Sequence, residues 1–497
     1  MDRPLSALFT RFSSWLDADG LQVGDRRACP ILHQQFEAKL AELDAVAPQT
    51  VIFLAERDPV AFLAGLLAAI ARNCPVFLCN PHWQPPEWQQ LFNAIRPDLI
   101  WGDIPAIPAH SPSPFPKFTL PRTETPCILI PTGGSSGKIR FAIHTVRTLT
   151  ASVRGFCEYF DRDRVNSFCV LPLYHVSGLM QFWRSLLTGG NLAIFPSYKA
   201  IPQQIPPNFN PSNYFISLVP TQLQRLFSLP QAAAYLARFE VVLLGGAPAW
   251  SDLFATARTL NIPLAPTYGM TETASGVVTL KPEDFLAGNN SSGRVLPHAR
   301  LKICTPTGER LKPGEIGVVA IAAKSLALGY FPESEGNASN QFDLNFFNSD
   351  DLGYIDARGY LQIVGRNSDK IITGGENVFP AEVEAAIRAT GLVKDVCAIA
   401  LSDRDWGEAI AAVYVPGSRD ISSEQLSRAL EGNLAPFKCP KYWWAIEQLP
   451  RNDRGKLNRE QLQQQLSEKM QKLTASATIF QAPRGETPGG KLAPKDS

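Results

Sequence analysis

The sequence lacks a charge surplus of either sign, a CxxC pair, an HxxxH pair and any apolar run long enough to cross a bilayer. Its 47 basic and 46 acidic residues leave a formal net charge of +1 over 497 residues. No electrostatic footprint for nucleic acid or an anionic membrane surface follows from such a balance. The nine cysteines, at 29, 74, 79, 127, 157, 169, 304, 397 and 439, are odd in number and scattered. Reduced, mostly buried thiols in a cytoplasm-like compartment are expected. The six histidines show no zinc-site spacing. The opening MDRPLSALFT carries charges where a signal peptide has its apolar core. VAFLAGLLAAIA stops at Arg72, too short for a span, and reads as a buried helix.

What is present is globular. Hydrophobic residues make up 45% of the chain and charged residues 19%, and the length predicts two or three domains. Short Val, Ile and Phe runs (TVIFLAE, CPVFLCN, NSFCVLP, FISLVP, FEVVLLGG) alternate with helical patterns through the first 360 residues. That alternation predicts an α/β fold, with a large N-terminal domain of layered α/β subdomains and largely parallel sheets. Composition shifts at VGRNSDKIITGG, and PAEVEAAIRATG then opens a new segment with proline in its first helical turn. A hinge is expected there. It divides residues 1–367 from a small C-terminal α+β domain at 368–472, and the Pro/Gly/Lys-rich 473–497 reads as a disordered tail.

The stretch PTGGSSGKIRFAIHT, from Pro131 to Thr145, packs three glycines, two serines, a lysine and an arginine between two apolar runs. It is not the phosphate loop GxxxxGK[ST], because Thr132 stands at the first glycine and Ile139 at the hydroxyl. It does match GxSxG over Gly133-Gly134-Ser135-Ser136-Gly137, which would make Ser135 a hydrolase nucleophile. That elbow requires a helix directly after the serine. Here Ile139, Phe141 and Ile143 alternate with Arg140, Ala142 and His144, a period of two that predicts a strand. A glycine-rich hairpin tip with small hydroxyls and two cations suits a polyphosphate. A plain flexible hairpin remains the alternative for the loop in isolation.

TGGSSGKIRFA resembles the phosphate loop of the adenylate-forming acyl- and aryl-CoA synthetases. Further segments resemble that family in its order: LPLYHVSG (171–178), LLGGAP (243–248), TYGMTET (267–273), SDDLGYIDARGYL (349–361), IVGRNSDKIITGGENVFPAEVE (363–384) and PRNDRGKLNR (450–459). Three positions depart from the pattern. Arg140 replaces a lysine, Ser349-Asp350-Asp351 replaces Thr-Gly-Asp, and Ser368 occupies a hinge position that is often aspartate.

The resemblance implies activation of a carboxylic acid with ATP and Mg²⁺, then transfer to CoA, with the small domain mobile between the two steps. It implies that Thr132, Gly133, Gly134, Ser135, Ser136, Gly137 and Lys138, with Arg140, cover the phosphates. Gly246 and Ala247 join the nucleotide-binding set. In Tyr268-Gly269-Met270-Thr271-Glu272 the aromatic residue lies by the adenine, Thr271 contacts phosphate and Glu272 coordinates Mg²⁺. Asp351 and Arg366 serve the ribose side, with Asp350 a solvated neighbour. Lys456 is implied as the mobile lysine that bridges the acid and the α-phosphate. Gly374 and Gly375 then let the thiol arm of CoA pass close to backbone.

PLYHVSGLMQFWRSLLTGG, SLVPTQLQRL and LLGGAP are most similar to the o-succinylbenzoate-activating members, which serve menaquinone and phylloquinone synthesis. That acid carries a second carboxylate to be recognised, for which His175, Arg184 and Ser275 are the candidates. Another aryl- or fatty-acid ligase, a carrier-loading adenylation domain, a Ser135 hydrolase and an inactive binding module are the competing readings. The expected partners are small molecules, an acid with ATP and CoA. A homodimer is left open, and no transmembrane segment is expected.

Overall fold

The computed structural model describes residues 3–466 apart from 106–124, 133–138, 202, 207–208, 333–345, 374–375, 404–405, 419–420, 432, 452–456 and 460. The stretch 473–497, read above as a disordered tail, lies outside the described residues.

Continuous apolar runs form parallel strands because helices can then cover both faces. In the largest sheet, nine strands long, Leu192–Ile194, Asn166–Cys169, Tyr214–Leu218, Val241–Leu244 and Leu264–Met270 lie side by side and parallel. Ser275–Thr279 then turns back antiparallel, with Arg294–Val295 beyond it at the edge. In a second sheet Leu99–Trp101, Ile52–Leu54, Val76–Leu78 and Ile128–Thr132 run parallel, followed by antiparallel Arg140–His144 and Tyr330–Phe331.

The apolar segment Pro59–Ala71 is a helix, capped by the Asp58 carboxylate accepting from Ala61 N. Ten of its thirteen residues are buried, so it is core. No helix among the described residues is long and apolar enough to cross a membrane. Seven of the nine cysteines are buried and two half-buried, and all are free thiols, as expected from their spacing.

A four-stranded antiparallel sheet follows, ordered Ala299–Cys304, Gly317–Ala323, Phe347–Ile355, Leu361–Arg366. Beyond it lies a separate C-terminal sheet built on Val393–Asp403 and Gly407–Pro416, with helix Pro380–Ala389 against it. The proline starts that helix, and Val383 and Ile387 are buried as their spacing predicts. The two apolar clusters of this C-terminal unit draw only on residues from Ile371 onward. It therefore has a core of its own.

Candidate active site

The parallel sheets put the chemistry-bearing loops at the carboxyl ends of their strands, where open α/β sheets bind ligands. His175 follows Asn166–Cys169, Gly246 and Ala247 follow Val241–Leu244, and Thr271 and Glu272 follow Leu264–Met270. Gly246 sits at φ +83° in an exposed turn, a conformation that favours glycine.

The hairpin of the second sheet meets this edge. Strands Ile128–Thr132 and Arg140–His144 pair with Thr132 opposite Arg140. Gly133, Gly134, Ser135, Ser136, Gly137 and Lys138 lie outside the described residues. A strand, not a helix, follows them, which removes the nucleophile-elbow reading of Ser135. His144 ends that strand fully buried, and its Nε2 lies 2.8 Å from the Thr271 carbonyl oxygen. Burial pushes its pKa down to about 4. The imidazole is neutral, so Nε2–H donates to that carbonyl and ties the hairpin to the Thr271–Glu272 turn.

The turn itself is tight. Ala274 and Ser275 adopt φ +51° and +88°, unusual for residues with a side chain. A Cβ on Gly269 would lie 2.1 Å from the Ser275 carbonyl oxygen, so only glycine fits beside it. The Glu272 backbone is held by Ala327 N, which donates to its carbonyl at 2.8 Å. Its carboxylate Oε1 accepts from the Tyr330 hydroxyl at 2.8 Å. The Arg140 guanidinium lies 5.5 Å from the Tyr330 ring centroid. Burial, then the Glu272 charge, holds the Tyr330 phenol far above its ordinary pKa, so it remains a donor. Tyr330 escaped the sequence reading because it lies between motifs. Its strand pairing, Tyr330 opposite Ala142, is what brings it in.

Across the third sheet Asp351 faces Arg366, with Arg366 Nε 3.4 Å from Asp351 Oδ1. The Tyr268 hydroxyl donates to Asp351 Oδ2 at 2.8 Å. Thus Tyr268, Asp351 and Arg366 form one cluster. The Ser349 hydroxyl donates to Val319 O at 2.7 Å and accepts from Asp351 N at 3.2 Å.

The acid-side candidates separate. His175 precedes helix Val176–Thr188 as its N-cap, buried and edge-on to Tyr174 at 4.5 Å. Arg184 lies nine residues later, ~13 Å along the axis and on the opposite side of the helix. It is 5% exposed, its Nη2 donates to Ser275 Oγ at 3.2 Å, and its guanidinium lies 4.0 Å from the Phe156 ring centroid. No carboxylate pairs with it among the described residues, and its Nε has no hydrogen-bond partner there. Burial lowers its pKa to about 10. It is a buried cation placed three residues from Glu272 by its bond to Ser275.

Lys456 and Gly374–Gly375 lie outside the described residues. Their flanks are well held. Arg451 and Leu457 form an antiparallel bridge around 452–456, and Arg451 Nη2 pairs with Asp395 at 2.6 Å. Arg459 Nη1 pairs with the buried Glu384 at 2.7 Å.

The chain belongs to the AMP-binding enzyme family: residues 34–331 match that family and residues 382–456 match the AMP-binding enzyme C-terminal domain. Among its relatives, the 2-succinylbenzoate–CoA ligase of Enterococcus faecalis is 30% identical over 376 residues, spanning 75% of this chain and 76% of the relative. The o-succinylbenzoate CoA synthetase of Bacillus subtilis, solved with its acyl-adenylate intermediate, superposes with a TM-score of 0.77 at 25% identity, over 90% of this chain and 97% of that one. A double mutant of the same synthetase bound to a product analogue superposes with a TM-score of 0.62 at 24% identity, over the same shares of the two chains. The fold expected from the sequence, a large α/β part followed by a smaller C-terminal part, is the fold observed.

Proposed function

We infer that the protein is a cytoplasmic, AMP-forming acid–CoA ligase that converts 2-succinylbenzoate to its CoA thioester. The observation that carries the substrate reading is Arg184, a buried guanidinium beside Ser275 with no carboxylate of the described chain to neutralise it. Burying an unpaired charge costs several kcal/mol. A substrate carboxylate arriving there removes that cost. The acid is therefore one with two carboxylates, one read by Arg184 and one activated.

In the first half-reaction the succinyl carboxylate attacks the α-phosphate of ATP and pyrophosphate leaves. Two anions must meet, so cations are required beside them. Arg140 supplies one at the hairpin base, and Lys456 supplies the other from the C-terminal unit. Glu272 keeps Oε1 on Tyr330, while Oε2 takes no bond among the described residues. One free carboxylate oxygen with phosphate oxygens is a donor set that suits Mg²⁺, which would neutralise phosphate charge there. Asp351, oriented by Tyr268 and Arg366, accepts from the ribose hydroxyls. In the second half-reaction the CoA sulfur attacks the acyl carbonyl and AMP leaves. Residues 368–472 act as a small domain that rotates between the two steps against 1–367, withdrawing Lys456 and presenting Gly374–Gly375.

Acid-dependent pyrophosphate release from ATP, measured with 2-succinylbenzoate, simple benzoates and fatty acids, tests this. The succinyl compound should be turned over best. Preference for a benzoate or a fatty acid would overturn the substrate, and ester hydrolysis without ATP the whole reading.

A further inference from the structure

We propose that Asp350 is a positioning residue that holds Ser368 against the large domain and so favours the arrangement that forms the acyl-adenylate. This rests on the rotation of the small domain inferred above.

Three bonds join the two residues' segments. Asn367 N donates to the Asp350 carbonyl at 2.8 Å, continuing the strand pairing. Ser368 N donates to Asp350 Oδ1 at 3.2 Å, and the Ser368 hydroxyl donates to Asp350 Oδ2. The next residue faces the other way. Asp369 pairs with Arg459 Nε at 3.6 Å, and that guanidinium is anchored in the C-terminal unit on Glu384 at 2.7 Å and Cys397 Sγ at 3.0 Å. Ser368 is therefore tied to the large part and Asp369 to the small one. The joint is the Ser368 backbone.

Both partners stand at positions that depart from the family pattern, Asp350 where glycine is usual and Ser368 where aspartate is frequent. A glycine at 350 has no side chain to make these bonds.

Rotation about the Ser368 N–Cα bond swings its Cβ and hydroxyl away from Asp350, whereas the Asn367 and Ser368 amide bonds precede that rotation and survive. The bond from the Ser368 hydroxyl to Asp350 Oδ2 thus belongs to one arrangement only. A contact made in one of two states shifts the balance by its differential free energy. The arrangement observed superposes better on the acyl-adenylate complex than on the product-analogue complex, so adenylation is the step the contact favours.

The test separates the half-reactions: pyrophosphate release in the absence of CoA, and thioester formation from preformed acyl-adenylate. Asp350→Gly and Ser368→Ala should each lower the ratio of the first rate to the second about threefold to tenfold. The double variant should go no further, and the KM for ATP should hold, because Asp351 and Arg366 are untouched. Equal loss in both half-reactions, or single effects that add in the double variant, would overturn the proposal. Hydrogen exchange at 368–373 needs no substrate, so it reads the contact even if the ligase reading fails. It should quicken in Asp350→Gly, and unchanged exchange would count against the contact.

Discussion

Replacing Arg184 by methionine should weaken the enzyme and strengthen the fold. The guanidinium is buried on helix Val176–Thr188, stacked over Phe156 and bonded to Ser275, with no anion among the described residues to balance it. Burial lowers its pKa to about 10, which corresponds to about 3 kcal/mol against the charged form in the free protein. Methionine fills similar space without the charge. The melting temperature of the unliganded variant should therefore hold or rise. The substrate's ring carboxylate would lose its cation in a desolvated pocket, a loss of about 2–5 kcal/mol. That is about 30-fold to several thousandfold in kcat/KM for 2-succinylbenzoate. 3-Benzoylpropionate, which lacks the ring carboxylate, should lose little. Steady-state kinetics on both acids and thermal denaturation read the three quantities together. A variant that melts well below wild type yet keeps its preference for the dicarboxylate would refute the assignment and make Arg184 a structural residue.

Lys456→Ala should cut adenylation by about a hundredfold or more while largely sparing thioester formation from preformed adenylate, since its charge is needed only where two anions meet; equal damage to both steps would remove it from that role. Arg140→Lys should stay active and Arg140→Ala should bind ATP more weakly, read by titration calorimetry, because charge counts before fork geometry. Tyr330→Phe strips the donor from Glu272 and should raise the Mg²⁺ concentration needed for half-maximal adenylation about tenfold, the scale of one hydrogen bond to a charged group. His144 has a folded pKa of about 4, below the 6.5 of the unfolded chain. The unfolded state therefore takes up the proton first as pH falls. Stability should be intact above pH 6.5 and decline towards pH 4, by up to about 3 kcal/mol. Urea midpoints should show a shallower acid limb in His144→Gln between pH 6.5 and 5.

Local patterns made much of the architecture legible. Alternation across Ile139–His144 identified a strand, and the arrested apolar run before Arg72 identified a core helix, because each rests on short-range periodicity. Pro380 marked a helix start for the same reason. The site was legible only as separate motifs. That His144 would reach Thr271, or Tyr268 would reach Asp351, depends on pairings between strands far apart in sequence. Tyr330 carried no local signal at all. His175 and Arg184 looked like partners in the sequence, yet their nine-residue spacing on one helix turns them apart. Asp350 looked like a solvated neighbour of Asp351, and only the bonds to Ser368 reveal what its carboxylate does.

The most direct measurement offers the enzyme ATP, Mg²⁺, CoA and an equimolar mixture of 2-succinylbenzoate and 3-benzoylpropionate, and follows the CoA thioesters by mass. Wild type should form the thioester of the dicarboxylate in large excess, and Arg184→Met should lose most of that excess. Equal formation of both thioesters by wild type, or an unchanged ratio in the variant, would contradict a ligase whose buried arginine reads the second carboxylate.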